Sequence, residues 1–404
     1  MITPMTLTPG VWFWRAAGMR AGDAGTSYGP TWQFVVGHGS AAVNTAWGNT
    51  TDFNGDGYAD LAVAERQSVL VFYGSPTGLR TTPTVLGVSV SMGTLDFISV
   101  LQCGGDLNGD GFPELLVTVR YVTDASVGAR ATLVFPGGVS GVSAMPVVTY
   151  DALGYSVSPA GDFNLDGYGD LAIDDSLTLG TPAGWPSDGR TLRPGGPFPS
   201  GISIGDTNGD GFGDIALSGV ISRDGGLTYV SRIYFGTASG LLGAPALEMA
   251  AYGSARPLGD IDGDGYADFA NTPNAGTMMA ILRGNATAPT MFTTLNAALL
   301  SAVGDVDADG DDDVLVSGDV ATSLWLGART FPLTIERRIR NPAGGELPRT
   351  VVRSLGGVGD IERDGLTDFA VAAEGWLYVY AGAATIVGTP ARSIADVLGA
   401  SIAH

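Results

Sequence analysis

The chain has 404 residues, of which 62 are glycine, 45 % hydrophobic and only 15 % charged. That is too apolar for a disordered chain and too glycine-rich for long helices, so it points to a turn-rich β protein. The net charge is −21 and every basic residue is arginine; without cationic patches to release counterions from a phosphate backbone, nucleic acid is a poor partner.

In chain order, Met1 to Gly22 lacks the basic, apolar, small-residue sequence of a signal peptide, and no apolar run reaches transmembrane length. Membrane insertion is therefore not expected, and an export signal is expected to lie outside this chain. Residues 1–37 read as a β-hairpin, from Gly10-Val-Trp-Phe-Trp-Arg-Ala to Pro30-Thr-Trp-Gln-Phe-Val-Val.

From residue 38 to the C-terminus one acidic string recurs seven times. It reads Asp-x-Asn-Gly-Asp-Gly-x-x-Asp at Asp52 and returns at Asp106, Asp162, Asp206, Asp260, Asp305 and Asp360. The spacings are 54, 56, 44, 54, 45 and 55 residues, close to the length of a four-stranded propeller blade. After each loop comes a short β-rich run, such as Leu61-Ala-Val-Ala or Leu115-Leu-Val-Thr-Val. A second run ends in glycine: Val69-Leu-Val-Phe-Tyr-Gly, Arg232-Ile-Tyr-Phe-Gly, Trp376-Leu-Tyr-Val-Tyr-Ala-Gly. The fold expected is an all-β, seven-bladed β-propeller of four-stranded blades. In the third repeat the Pro/Gly-rich stretch from Gly180 to Pro199 hides the later strands.

Oxygen donors at positions one, three, five and nine of each loop, a glycine at six and a free carbonyl at seven are what a hard Ca²⁺ ion needs from a short wrapping loop. The first loop offers Asp52, Asn54, Asp56, the Tyr58 carbonyl and Asp60; the second Asp106, Asn108, Asp110, Phe112 and Glu114. The third offers Asp162, Asn164, Asp166, Tyr168 and Asp170; the fourth Asp206, Asn208, Asp210, Phe212 and Asp214. The fifth offers Asp260, Asp262, Asp264, Tyr266 and Asp268; the sixth Asp305, Asp307, Asp309, Asp311 and Asp313; the seventh Asp360, Glu362, Asp364, Leu366 and Asp368. One Asn-Gly-Asp-Gly string alone reads as a hairpin turn; seven with one donor spacing read as up to seven structural Ca²⁺ sites. These loops hold 26 of the 41 acidic residues, which would repel one another without metal. Glu362 at position three makes the seventh loop the one expected to bind most weakly or stay empty, and Asp311 and Asp312 crowd the sixth.

The loops resemble the FG-GAP repeats of the integrin α-subunit N-terminal domain, a seven-bladed propeller with Ca²⁺ in such loops. The resemblance covers about residues 38–404 and lies in the Asp-x-Asx-x-Asp-Gly-x-x-Asp string; Phe-Gly before the loop survives only as Trp47-Gly48, Gly154-Tyr155 and Tyr252-Gly253. It implies the fold and the metal, not integrin ligand specificity. The hairpin of residues 1–37 is similar to the last two strands of a fibronectin type III domain; read from its residues alone, it could equally be a strand that closes the propeller by joining the last blade.

No catalytic constellation is evident. With two histidines, His38 and His404, and one cysteine, Cys103, a nucleophile lacks an obvious base and Cys103 reads as a buried small residue. Gly201-Ile-Ser-Ile-Gly205 leads into an acidic loop rather than the helix a hydrolase nucleophile needs, and neighbouring Asp174 and Asp175 on a strand would point to opposite faces. The function expected is a secreted or cell-surface calcium-binding recognition or adhesion module. It would be a monomeric propeller with an extracellular protein or glycan partner. The alternative is a lectin or polysaccharide-processing enzyme on the same propeller. Long connections between the second and third strands of blades two to four are expected at Arg120–Arg130, Asp174–Arg193 and Val220–Arg232. They would raise a ligand rim opposite the acidic loops with Arg120, Tyr121, Arg130, Trp185, Arg190, Arg193, Arg223, Tyr229 and Arg232.

Overall fold

A computed structural model describes strands Gly10–Trp14, Ala17–Arg20, Asp23–Tyr28 and Trp32–Val36 within the first fifty residues. From residue 51 it describes all but 92, 124–126, 152–156, 165–167, 174–175, 182–189, 192–199, 224–225, 238–243, 251, 274–277, 329–335, 384–387, 395–401 and 403–404. Every regular element among the described residues is a β-strand, and no helix is long and apolar enough to cross a membrane.

Six four-stranded antiparallel sheets and one three-stranded sheet follow one another along the chain, each a simple up-and-down meander. The fourth shows the plan: Ser200–Gly205, the acidic loop, Asp214–Arg223, Gly226–Tyr234 and Leu247–Ala250. Inner strands of successive sheets lie side by side, Thr94–Cys103 beside Val157–Gly161 and so on to Val352–Gly359. Both faces of each sheet are therefore covered, which is why second strands read as unbroken apolar runs: all six residues of Asp368–Ala373 are buried.

Seven buried apolar clusters fill the seven interfaces between neighbouring blades. The seventh joins the last blade to the first, with Val358, Ala370 and Leu377 packed against Leu61 and Val63. The ring is thus closed, and the chain is a seven-bladed β-propeller. Cys103 is buried in the cluster between blades one and two, and burial pushes its thiol up to about 12, an inert side chain.

The first blade has three continuous strands, Leu61–Glu65, Ser68–Phe72 and Thr84–Gly87. Its inner position, beside Leu61–Glu65, is taken by Ile402, which bridges antiparallel to Val63. The seam is tied again where Arg392 on the last blade donates to the Leu79 carbonyl and Thr51 Oγ1 donates to the Val358 carbonyl at 3.1 Å. Among the described residues the strands of the N-terminal piece pair with one another, Gly10–Trp14 with Trp32–Val36 and Ala17–Arg20 with Asp23–Tyr28. The segment described beside Val63 at this seam is the one that holds Ile402.

The bridge to Val63 makes Ile402, 1 % exposed, a core residue of the first blade. Ile402→Ala is expected to lower the urea unfolding free energy by about 2–5 kcal/mol. Val139→Ala, at a site 84 % exposed, should change it by less than about 0.5 kcal/mol; equal midpoints for the two would contradict this closure.

Candidate metal centres

Six of the acidic loops join the inner strand of their blade to the second strand, and the first likewise leads into the second strand of its blade, so all seven open on one face of the ring. The carboxylate at position one folds the loop by accepting two backbone N–H groups. In the first loop Asp56 N donates to Asp52 Oδ1 at 3.1 Å and Gly57 N to Asp52 Oδ2 at 2.8 Å. The same pair recurs at Asp106, Asp206, Asp260, Asp305 and Asp360. The glycine at position six is required because its φ is left-handed, from 89° at Gly57 to 94° at Gly365. At position four Ala308 and Arg363 hold φ of 61° and 63°, a strain the surrounding hydrogen bonds sustain.

The position-nine carboxylate is the deepest group. Its two oxygens accept from the position-two N–H and from the glycine N–H that ends the third strand. For Asp60 the donors are Phe53 N and Gly74 N, each at 2.9 Å. Asp170 takes Phe163 and Gly180, Asp214 takes Thr207 and Gly236, and Asp268 takes Ile261 and Gly284. Asp313 takes Val306 and Gly327, and Asp368 takes Ile361 and Gly382. Glu114, the longer exception, still accepts from Leu107 N at 2.7 Å and from Gly137.

Burial, then the neighbouring carboxylates, pushes these groups toward their protonated forms. Glu114 and Asp313 rise to about 9, Asp214 to about 7, and Asp60 and Asp268 rise well above the usual carboxylate range. In the seventh loop burial and Glu362 beside it raise Asp368 to about 8. At position one burial lifts Asp52 to about 7 and Asp260, Asp305 and Asp360 to about 6. Groups that resist ionising together accept a cation in place of protons.

In the fifth and sixth loops three carboxylates each can offer one oxygen within 4.8 Å of the others: Asp260, Asp262 and Asp268; Asp305, Asp307 and Asp313. These two clusters could hold a metal ion. Their donors are all oxygens, the set of a hard cation, and Asp262 Oδ1 is buried with no hydrogen-bond partner while Oδ2 pairs with Arg283 Nε at 2.7 Å. Asp312, expected to crowd the sixth loop, turns instead to the fifth, where it accepts from Asp260 N at 2.9 Å. In the third loop Asp162, Asn164, Tyr168 and Asp170 are described and Asp166 lies outside the described residues.

The loops also fasten blade to blade, a role the sequence did not disclose. The position-eight N–H of one loop donates to the position-one carbonyl of the loop before it: Ala59 to Asp360, Gly169 to Asp106, Ala267 to Asp206, Asp312 to Asp260 and Thr367 to Asp305, at 2.7–3.3 Å. Pro113 at that position in the second loop has no N–H to give, and there Gly138 N donates to the Phe53 carbonyl at 2.9 Å. The glycine ending each third strand has no room for a Cβ. One on Gly284 would lie 2.6 Å from both the Ala267 carbonyl and Tyr266 Cβ and 2.7 Å from the Thr207 carbonyl. The matching atoms crowd Gly74, Gly137, Gly180, Gly236, Gly327 and Gly382. The only sequence signal of this role was the recurring glycine after each aromatic or apolar run.

The ligand rim is corrected in part. Arg120–Arg130 and Val220–Arg232 are not extended loops but arms of long hairpins, Leu115–Val122 with Val127–Phe135 and Asp214–Arg223 with Gly226–Tyr234. Tyr121 is 3 % exposed, a core residue between blades one and two. Arg232 pairs with Glu248 at 2.8 Å along the strands, and Arg120 lies 3.6 Å from Asp96. Arg130 and Tyr229 are exposed, and Arg223 ends its strand. In blade three the second and third strands, Asp170–Ile173 and Ser176–Thr178, are separated only by 174–175. The long segment follows Thr178, which pairs with Leu171 beside Asp170, so it leaves from the acidic-loop face, and Arg190 sits on the outer strand Arg190–Thr191. Trp185, Arg193, Asp174 and Asp175 lie outside the described residues. Gly201 to Gly205 is inner strand leading into the fourth loop.

Residues 52–117, the first acidic loop through the second, match the model of the FG-GAP-like repeat. No curated protein matches the chain. Among solved structures the chain is similar to BBS1N in complex with ARL6DN, soaked with lead, at 13 % identity and a TM-score of 0.42, covering 72 % of this chain and 84 % of that one. It is also similar to a candidate 6-phosphogluconolactonase from Bacteroides fragilis, at 13 % identity and a TM-score of 0.43, covering 86 % and 98 %.

Two outcomes are expected. Gly284→Ala should destabilise the protein by about 1–3 kcal/mol, while Gly87→Ala, where a Cβ meets nothing within 4 Å, should be near neutral; matched unfolding curves for the two would refute the crowding. In chelator the carboxyls of folded pKa raised to about 6–9 stabilise the fold when protonated. That contribution is full below the ordinary carboxylate pKa and lost as pH climbs through the folded values, so the melting temperature should fall from about pH 5 to about pH 8. A flat or rising profile would contradict it.

Proposed function

We propose that the propeller is a calcium-stabilised recognition or adhesion module that works outside the cell, with metal in its acidic loops and a protein partner. The observation that carries this reading is the repetition of one oxygen-donor loop at all seven blade junctions, with its deepest carboxylates raised by burial and by one another. The carboxylates at positions one and nine are held by backbone N–H groups of their own blade, as structural ligands would be. Extracellular modules of this kind bind Ca²⁺ at about 10⁻⁴–10⁻³ M, far above cytosolic levels, which is why such loops suit a protein outside the cell.

The partner surface proposed is the face opposite the loops. There the hairpin ends of successive blades expose Leu227 and Tyr229, Met278, Val320 and Trp376, Leu227 at 80 %, and exposed aromatic and apolar anchors of this kind carry protein recognition. This run spans blades four to seven rather than two to four.

Millimolar Ca²⁺ is expected to raise the melting temperature, by about 1 kcal/mol of stability per occupied site, and chelator should reverse it. Asp307→Ala, which removes one donor of the sixth loop, should reduce the calcium stoichiometry measured by titration calorimetry by one. A melting temperature and a stoichiometry that ignore metal and variant would overturn the reading.

A further inference from the structure

The sharpest local departure from the chain's acidic balance lies in residues 337–353, which hold five of its 20 basic residues, all arginine, against one acidic residue, Glu346. They end the outer strand of blade six, Glu336–Arg338, cross the face opposite the acidic loops, and begin the inner strand of blade seven, Val352–Gly359. Arg337, Arg338, Arg340, Arg349 and Arg353 are all exposed. Arg338 meets Glu346 at 2.7 Å; among the described residues no carboxylate meets the other four.

The segment is built into the fold. Ile339, Leu347 and Val352 are buried in the apolar cluster of blades six and seven. Its backbone is tied to the hairpins on both sides. In blade six Ile339 N donates to the Thr322 carbonyl at 2.9 Å and Arg349 N to the Gly318 carbonyl at 3.0 Å; in blade seven Glu374 N donates to the Val351 carbonyl at 3.4 Å. Asn341 Oδ1 accepts from Ala343 N at 3.1 Å and Gly345 N at 2.8 Å, closing a turn across which Arg340 bridges Glu346. The backbone that carries the arginines is therefore fixed beside the hairpin tips that expose Val320, at 69 %, and Trp376, at 41 %. A surface held in place before binding loses little ordering entropy when a partner arrives.

The charge pattern indicates the partner's chemistry. The acidic loops lie at the far end of the inner strands, and Val352–Gly359 has eight residues, a span of about 26 Å at the usual strand rise. That is well beyond the screening length of about 8 Å at physiological salt, so an anionic segment is drawn to residues 337–353 without being repelled by the loops. Asp319 and Glu374 stand exposed on the two hairpin tips. A polyanion charged at every step would meet both, whereas a peptide can set a carboxylate opposite an arginine and an apolar side chain opposite Val320 or Trp376. We propose that the connection between blades six and seven docks an acidic peptide segment of a partner protein, its carboxylates held by Arg340, Arg349 and Arg353. This rests on the reading that a partner binds the face opposite the loops, and adds the place and the chemistry.

A display library of random dodecapeptides, panned against the calcium-loaded full chain, tests this, with the recovered peptides measured by fluorescence polarisation. They are expected to be enriched in Asp and Glu and to carry an apolar residue. Arg349→Gln with Arg353→Gln should raise their Kd at least about tenfold. Arg66→Gln with Arg256→Gln, which removes the same charge from two exposed sites elsewhere, should leave it unchanged. Recovery of no peptide, of peptides without an excess of acid, or an equal loss in the two double variants would overturn the proposal. So would a heparin fragment or single-stranded oligonucleotide that binds tighter than any recovered peptide and is lost in Arg349→Gln with Arg353→Gln, since the patch would then seat a polyanion. Neutral peptides whose binding is lost in Trp376→Ala would overturn the acidic chemistry and leave the partner face itself standing.

Discussion

The buried carboxylate at position nine is the constraint on which the rest of the propeller depends. It enters each blade at the junction of three segments, the loop, the second strand and the end of the third, and its two oxygens bind backbone N–H groups from two of them. A carboxylate so placed cannot be replaced by an apolar group without orphaning two donors, and it cannot ionise beside its neighbours without a cation or a cost. The third strand must end in glycine because the carbonyl at position eight and the Cβ at position seven close over that donor. One side chain thus fixes the loop, the strand end and the spacing between them.

From that junction the order spreads around the ring. The carbonyls at loop positions one and two, left free by the loop's own hydrogen bonds, accept from the following blade. The position-seven aromatics reach across in the same direction: a Cβ on Gly109 or Gly209 would run into the ring of Tyr168 or Tyr266, and Arg363 lies over Tyr58 at 5.9 Å. The loops are therefore clasps between blades, and those of the fifth and sixth blades also gather carboxylates that could hold a cation. Apolar clusters at all seven interfaces supply the non-directional part of the adhesion, while the clasps set the register.

Much of the fold was legible in the sequence because one acidic string recurs seven times at a spacing of a blade's length, and that repetition is visible without a structure. The seven blades, the strand after each loop and the all-β class followed from it. What was not legible arises where the local signal is weak. At the tip of the long hairpin of blade four Leu227 and Tyr229 are exposed, so apolar residues there do not mark a core. Blade three compresses its third strand to Ser176–Thr178, too short to read before a Pro/Gly-rich stretch. Closure by Ile402 rests on a single bridge near the chain end.

A crystal structure grown in millimolar calcium tests the central claim most directly. Spherical density is expected inside the loops, at about 2.3–2.6 Å from the side chains of positions one, three, five and nine and the carbonyl of position seven, in the fifth and sixth loops before any other. Loops that hold only water, with the carboxylates bound to nothing but their own backbone, would contradict it.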